Sequence, residues 1–132
     1  MARALLFRLL LTFAVSAFAC LLVVAPAAAA PTADTQRITI TLTSDQQYNG
    51  AAVWTDADGR LRTQSDVPLT QRDSHGNWTA SVVYTRAAGD LPVDALFQSG
   101  GRLSRCEIEV DAESVADHTA HGARATSACR TG

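Results

Sequence analysis

An antiparallel β-sandwich is the fold class predicted for residues 31–132 of this 132-residue chain, and three features predict it. Apolar and polar residues alternate with a period of two in segment after segment, as half-buried strands require. Clusters of turn formers recur at intervals of roughly eight to twelve residues. No helical period is present after residue 31.

The elements follow in order. Residues 37–43, RITITLT, place Ile38, Ile40 and Leu42 on one face and threonines on the other, and their β-branched content suits a strand. Residues 50–55 and 60–64 read as the next two strands. Between them Asp58-Gly59 predicts a tight two-residue hairpin turn with positive φ at both positions. Pro68 interrupts the pattern, and residues 72–77, RDSHGN, are dense in turn formers. Residues 78–85 then set Trp78, Ala80, Val82 and Tyr84 on one face, which predicts the principal core strand. After the loop at 86–92, residues 93–98 turn Val93, Ala95 and Phe97 inward. Gly100 and Gly101 lead into residues 105–111, RCEIEVD, where Cys106, Ile108 and Val110 oppose Glu107, Glu109 and Asp111. Residues 115–119 and 125–129 complete the series, with Ala125, Ser127 and Cys129 sharing a face. Seven to eight short strands of this kind predict an all-β, immunoglobulin-like sandwich, with a small β-barrel as the alternative.

The first thirty residues are of another kind. Arg3 and Arg8 precede an uncharged run from Leu9 to Ala30, the order of a positive n-region, an apolar h-region and a small-residue end. Residues 1–30 are therefore expected to direct export as a signal peptide or membrane anchor, and residues 31–132 to form one extracytoplasmic domain. Pro31 disfavours a cut after Ala30, so cleavage after Ala27 or Ala29 would release the domain. The run is also close to the roughly 20 residues that span a bilayer as a helix, and its retention would tether the domain. Cys20 lacks the upstream leucine that a lipid-modified cysteine follows and belongs to the apolar run.

Without Arg3 and Arg8, nine arginines stand against 13 acidic residues. The exported part is mildly acidic, which argues against nucleic acid as a partner. Lysine is absent and alanine abundant, a composition typical of a GC-rich bacterial genome. A domain of about 100 residues has a modest core that a covalent staple helps. In an oxidising compartment its two cysteines, Cys106 and Cys129, both at inward strand positions, are expected to form a disulfide. The reactive-thiol alternative needs an electropositive setting, and Glu107, Glu109 and Asp111 supply the opposite.

Candidate functional residues are few. Trp54, Trp78 and Tyr84 are candidates for an aromatic ligand platform, although on alternating strands such residues also serve as core. Asp56 and Asp58 lack the further oxygens and closing glutamate of a calcium loop, since Arg60 follows. His118 and His121, in DHTAH, lie three apart, which puts them on opposite faces of a strand, and no third ligand is evident; they read as exposed turn residues. No metal site and no cofactor are expected. Asn77-Trp78-Thr79 fits a glycosylation sequon, of consequence only in a eukaryote. No nucleophile elbow, phosphate-cradling glycine loop or zinc-protease helix occurs, so no catalytic residue is assigned and a non-catalytic role is expected.

The order of features resembles the small mycobacterial membrane protein (MmpS) family: an N-terminal apolar segment, TSD at residues 43–45, a middle tryptophan strand, then CEIEVD and a last strand ending in Cys129. Cys106, Ile108, Val110 and Cys129 match best. The resemblance implies a single membrane anchor carrying an immunoglobulin-like sandwich with a cysteine pair in its last strands. It also implies a partner, a resistance-nodulation-division (RND, MmpL-like) transporter that exports lipids or siderophores. Two features depart from the family. Its turn after the I-x-V-D strand runs through Asp-Gly, whereas Ala112 follows Asp111 here, and the N-terminus looks more cleavable than a family anchor. The alternative is a secreted β-sandwich binding module for a protein or small ligand, with membrane contact only if residues 1–30 are retained.

Overall fold

The period-two alternation resolves into strands throughout the computed structural model, which describes residues 34–89 and 91–132. The signal or anchor segment, Cys20 and the boundary at Pro31 lie outside the described residues. Nine strands are formed among the described residues: β1 (Thr35–Ser44), β2 (Tyr48–Thr55), β3 (Leu61–Pro68), β4 (Gln71–Arg72), β5 (Trp78–Ala87), β6 (Asp94–Gln98), β7 (Leu103–Val110), β8 (Glu113–His121) and β9 (Thr126–Arg130). One sheet has the order β4-β5-β1-β7-β8 and the other β3-β2-β6-β9. Every ladder is antiparallel.

This order is that of an immunoglobulin-type sandwich with one substitution. β1, β2, β3, β4, β5, β6 and β9 occupy the places of strands B, C, C′, D, E, F and G. The place of strand A, beside B, is filled by β7, which arrives late in the chain as half of the β7–β8 hairpin between the F and G positions.

The core lies between the sheets. Ile38, Ile40 and Leu42 of β1 face Ala52, Ala95 and Phe97 of the second sheet, with Val67, Leu69, Val93, Cys106, Ile108 and Cys129 around them. The expected inward faces of β1, β6, β7 and β9 are the observed ones. β5 differs in degree: Trp78, Ala80, Val82 and Tyr84 point inward but stay only half-buried, so the principal core strand is β1. The reason is position. β1 has full-length neighbours on both sides, whereas β5 has only the two-residue β4 beyond it. β4 itself runs into the start of the stretch that reads as turn, at Arg72, and it brings the strand number to nine rather than seven or eight.

Local turn chemistry sets the register. The β2–β3 hairpin is not a two-residue turn: only Gly59 takes positive φ, at 76°, and the Asp56 N–H donates to the Arg60 carbonyl across a three-residue loop. The Asp56 carboxylate explains this choice, because its Oδ1 accepts the N–H groups of Asp58 and Arg60 and its Oδ2 takes Arg62 Nε at 2.6 Å. Asp73 repeats the device at the β4–β5 turn, accepting the N–H groups of His75 and Asn77. The two-residue turn appears instead between β7 and β8, where Asp111 and Ala112 have φ of 51° and 68°. Ala112 therefore holds the conformation for which Asp-Gly is the usual sequence. Left-handed backbone costs an alanine about 1–2 kcal/mol, and glycine gives back about 0.4–1 through the unfolded chain. Ala112→Gly is expected to stabilise the domain by about 0.5–1 kcal/mol in urea denaturation, with the strand register unchanged.

Candidate functional site

The two sides of the sandwich differ. On one, β7 and β8 come close to β9. There the Cys106–Cys129 disulfide joins the sheets with Cα atoms 6.0 Å apart, and His118 Nδ1 accepts the Ala128 N–H at 3.0 Å. His118 is thus a strand residue that caps a neighbouring edge, in keeping with the strand expected at 115–119 and not with a turn position. It stands opposite Cys106, and His121 opposite Leu103, three residues along and so on the other face. Among the described residues, no group of three or more His, Cys, Asp or Glu side chains is placed to hold a metal ion.

On the other side, among the described residues, no strand of the second sheet packs as closely on β5, and a cleft opens between β5 and the β2–β3 hairpin. It has a volume of about 420 Å³ and is lined by Trp54, Asp56, Ala57, Asp58, Arg62, Val82 and Tyr84. It is shallow and open to solvent. Two of the three aromatic candidates, Trp54 and Tyr84, are brought together here. Trp78 is not: it lies toward the opposite end of β5, opposite Ser44, and the guanidinium of Arg72 stacks over its ring 4.0 Å from the centroid.

The polar groups of the cleft are partly committed. Tyr84 Oη donates to the Thr55 carbonyl at 2.5 Å, which ties the two sheets. Burial raises the Tyr84 pKa. Asp56 is held below the usual carboxylate value, first by the Arg60 N–H and then by the Arg62 side chain and the Asp58 N–H, against a smaller opposing effect of burial. The Asp58 carboxylate and the remaining N–H groups of Arg62, which is largely exposed, are left at the rim as acceptor and donors.

A second cluster went unrecognised as a unit in the sequence, although TSD at 43–45 marks it. At the end of the sandwich where β1 stops, Asp45 Oδ1 accepts the N–H groups of Arg102 and Leu103 at 3.0 and 3.1 Å. Ser44 and Ser99, both buried, share a hydroxyl hydrogen bond of 2.7 Å, and Ser104 and Ser127 another of 2.8 Å. Each pair joins one sheet to the other. Asn49 completes the corner by accepting the Gly100 N–H and donating to the carbonyls of Gln46 and Gln47. A Cβ on Gly101 would strike the Asp45 carboxylate, which is why glycine stands there. This network is structural: its polar groups are spent on one another. No protein-family model matches the chain, and no curated protein matches it.

Proposed function

We propose that this chain is an exported, non-catalytic β-sandwich of the MmpS type, held at the outer face of the cytoplasmic membrane by residues 1–30 and working beside an RND-type (MmpL-like) exporter of lipids or siderophores. The observation that carries the reading is the Cys106–Cys129 disulfide in β7 and β9, since a buried bridge between late strands fits an oxidising compartment and the cysteine pair that the family resemblance implies. The turn at Asp111-Ala112 adds support, because it has the left-handed geometry that the family's Asp-Gly would adopt. The mature mass of the native chain, measured in separated membrane and soluble fractions, tests this. An intact chain in membranes that co-purifies with a transporter is the expected result, and a soluble chain starting near Ala28 or Ala30 refutes it.

The second reading, a secreted binding module, is favoured by the Trp54–Tyr84 cleft. If ligand enters there, titration changes the fluorescence of a Trp78→Phe variant, in which Trp54 is the remaining tryptophan, and leaves a Trp54→Phe variant unchanged.

A further inference from the structure

We infer that the end of the sandwich from which residues 1–33 depart is a docking face for an anionic phospholipid bilayer. In this assignment Arg86 receives the headgroup phosphate, and Leu61, Leu91 and Val115 enter the boundary between headgroups and acyl chains. The inference rests on the anchored form of the proposed function.

The strand directions gather one set of loops at this end. The Ala88 N–H donates to the Asp34 carbonyl, the Asp111 N–H to Arg37 and the Thr131 N–H to Val93, so the start of β1, the β5–β6 and β7–β8 connections and the C-terminus lie together. The β2–β3 hairpin joins them, because the Cβ position of Gly59 is 3.8 Å from Leu91. Among the described residues, six large hydrophobics are exposed, and three of them belong here: Leu61 at 65%, Leu91 at 67% and Val115 at 46%.

An independent observation concerns polar atoms. Two buried side-chain atoms, Arg86 Nε and Gln36 Oε1, have no hydrogen-bond partner among the described residues. They belong to cross-strand neighbours on β5 and β1. Both residues line a recess of about 380 Å³ whose other walls include Leu91, Val110 and Val115. The terminal N–H groups of the Arg86 guanidinium, which are not among these buried atoms, are cationic donors beside apolar walls and match a phosphodiester. Asp34, Asp58, Asp111 and Glu113 share this end. The face is therefore no diffuse basic patch, and anion recognition falls to the Arg86 recess.

Chain length brings the face to the membrane. The uncharged run ends at Ala30, and the described chain begins at Asp34. An extended chain covers at most about 3.5 Å per residue, so the linker reaches roughly 14 Å. That is about twice the headgroup layer, about 5–8 Å on each side of the hydrocarbon, so the face stays within about 10 Å of it. The tether also supplies a high effective concentration, and a weak contact suffices.

The test uses the full isotope-labelled chain in nanodiscs of phosphatidylcholine, alone or mixed with phosphatidylglycerol, carrying a nitroxide on a fraction of the headgroups. Paramagnetic broadening is expected at residues 57–61, 86–91 and 111–116, several-fold stronger with phosphatidylglycerol, and absent at residues 45–49 and 99–102. Arg86→Lys keeps the charge, removes the planar fork and should lose most of the phosphatidylglycerol enhancement. Leu91→Ser, at an exposed site that does not threaten folding, should weaken contact in both lipids. A chain that inserts in the nanodisc but broadens evenly or not at all overturns the docking face and leaves the anchored reading intact. Failure to insert counts against that reading; the processed chain is then titrated with the same lipids as vesicles, and no broadening there overturns the inference. It is also overturned if inorganic phosphate alone reproduces the Arg86 shifts without lipid contact at Leu91, or if the broadening follows protein concentration without lipid, which would indicate a second copy.

Discussion

Replacing both Cys106 and Cys129 with alanine is expected to lower the unfolding free energy by roughly 3 kcal/mol, the chain-entropy value for a loop of this length. The half-cystines are 23 residues apart in sequence and join β7 of one sheet to β9 of the other. Among the described residues, β9 is an edge strand that pairs with β6 alone. The bridge therefore adds a covalent tie between β9 and β7, which is itself laddered to β1. For a domain of this size the loss corresponds to about 12–24 °C in Tm, a large share of marginal stability. The denaturant m-value should rise in the double variant, because its unfolded chain is free to expand. Since Cys106 is 0% and Cys129 5% exposed, a reductant added to the folded protein should act slowly and speed up sharply once urea opens the domain. A loss under about 1 kcal/mol would mean that the packing of Phe97, Ile108 and the serine pairs alone holds the closed side.

The bridge was legible in the sequence because its signals are local: an apolar N-terminal run, two cysteines after it, and inward parity at both. The same holds for β1, β6, β7 and β9, whose alternation is strict enough that face follows from counting. What alternation does not carry is depth. Trp78 to Tyr84 alternates as well as Ile38 to Leu42, and its half-buried state follows from β5 lying beside a two-residue strand, a property of sheet order. β4 was hidden for the opposite reason. Gln71 and Arg72 have no pattern of their own, and they are strand only because the chain crosses there from one sheet to the other and pairs with Trp78 and Thr79.

Turn type depended on hydrogen bonds that reach beyond the turning pair. Asp58-Gly59 has the residues of a two-residue hairpin, but the Asp56 carboxylate collects two loop N–H groups and draws the chain into a wider loop. Asp111-Ala112 lacks the glycine and makes the two-residue turn nonetheless, with the Arg37 N–H donating to Asp111 Oδ1 at 2.9 Å. The candidate site was half legible for a similar reason. Aromatic type and inward parity point to Trp54, Trp78 and Tyr84 together, while only the three-dimensional arrangement assigns Trp54 and Tyr84 to one cleft and covers Trp78 with Arg72.

Asp45→Ala is expected to cost about 2 kcal/mol at neutral pH, because it leaves the Arg102 and Leu103 N–H groups without their charged acceptor and frees the segment that Gly101 allows to pack against it. The pH dependence separates this from a packing defect. Burial pushes the Asp45 carboxyl up, and the N–H groups of Arg102, Leu103 and Asp45 itself, with the Ser44 hydroxyl, together more than reverse it, so its folded pKa lies below the ordinary 3.8. The unfolded chain then binds the proton more readily than the folded one, and stability rises with pH through that window. The contribution is complete above the unfolded value and disappears as pH falls through the folded one. Asp117, lowered first by its hydrogen bonds to Arg105, and Asp56 titrate in the same sense, so the wild-type domain keeps an acid limb of stability in either case. Urea denaturation of wild type and Asp45→Ala should therefore show a gap that is widest at neutral pH and narrows below pH 3.8. Asp45→Asn, which keeps one acceptor oxygen without the charge, should fall between them at neutral pH. A gap that stays constant into acid would assign the loss to packing and remove the carboxylate from the argument.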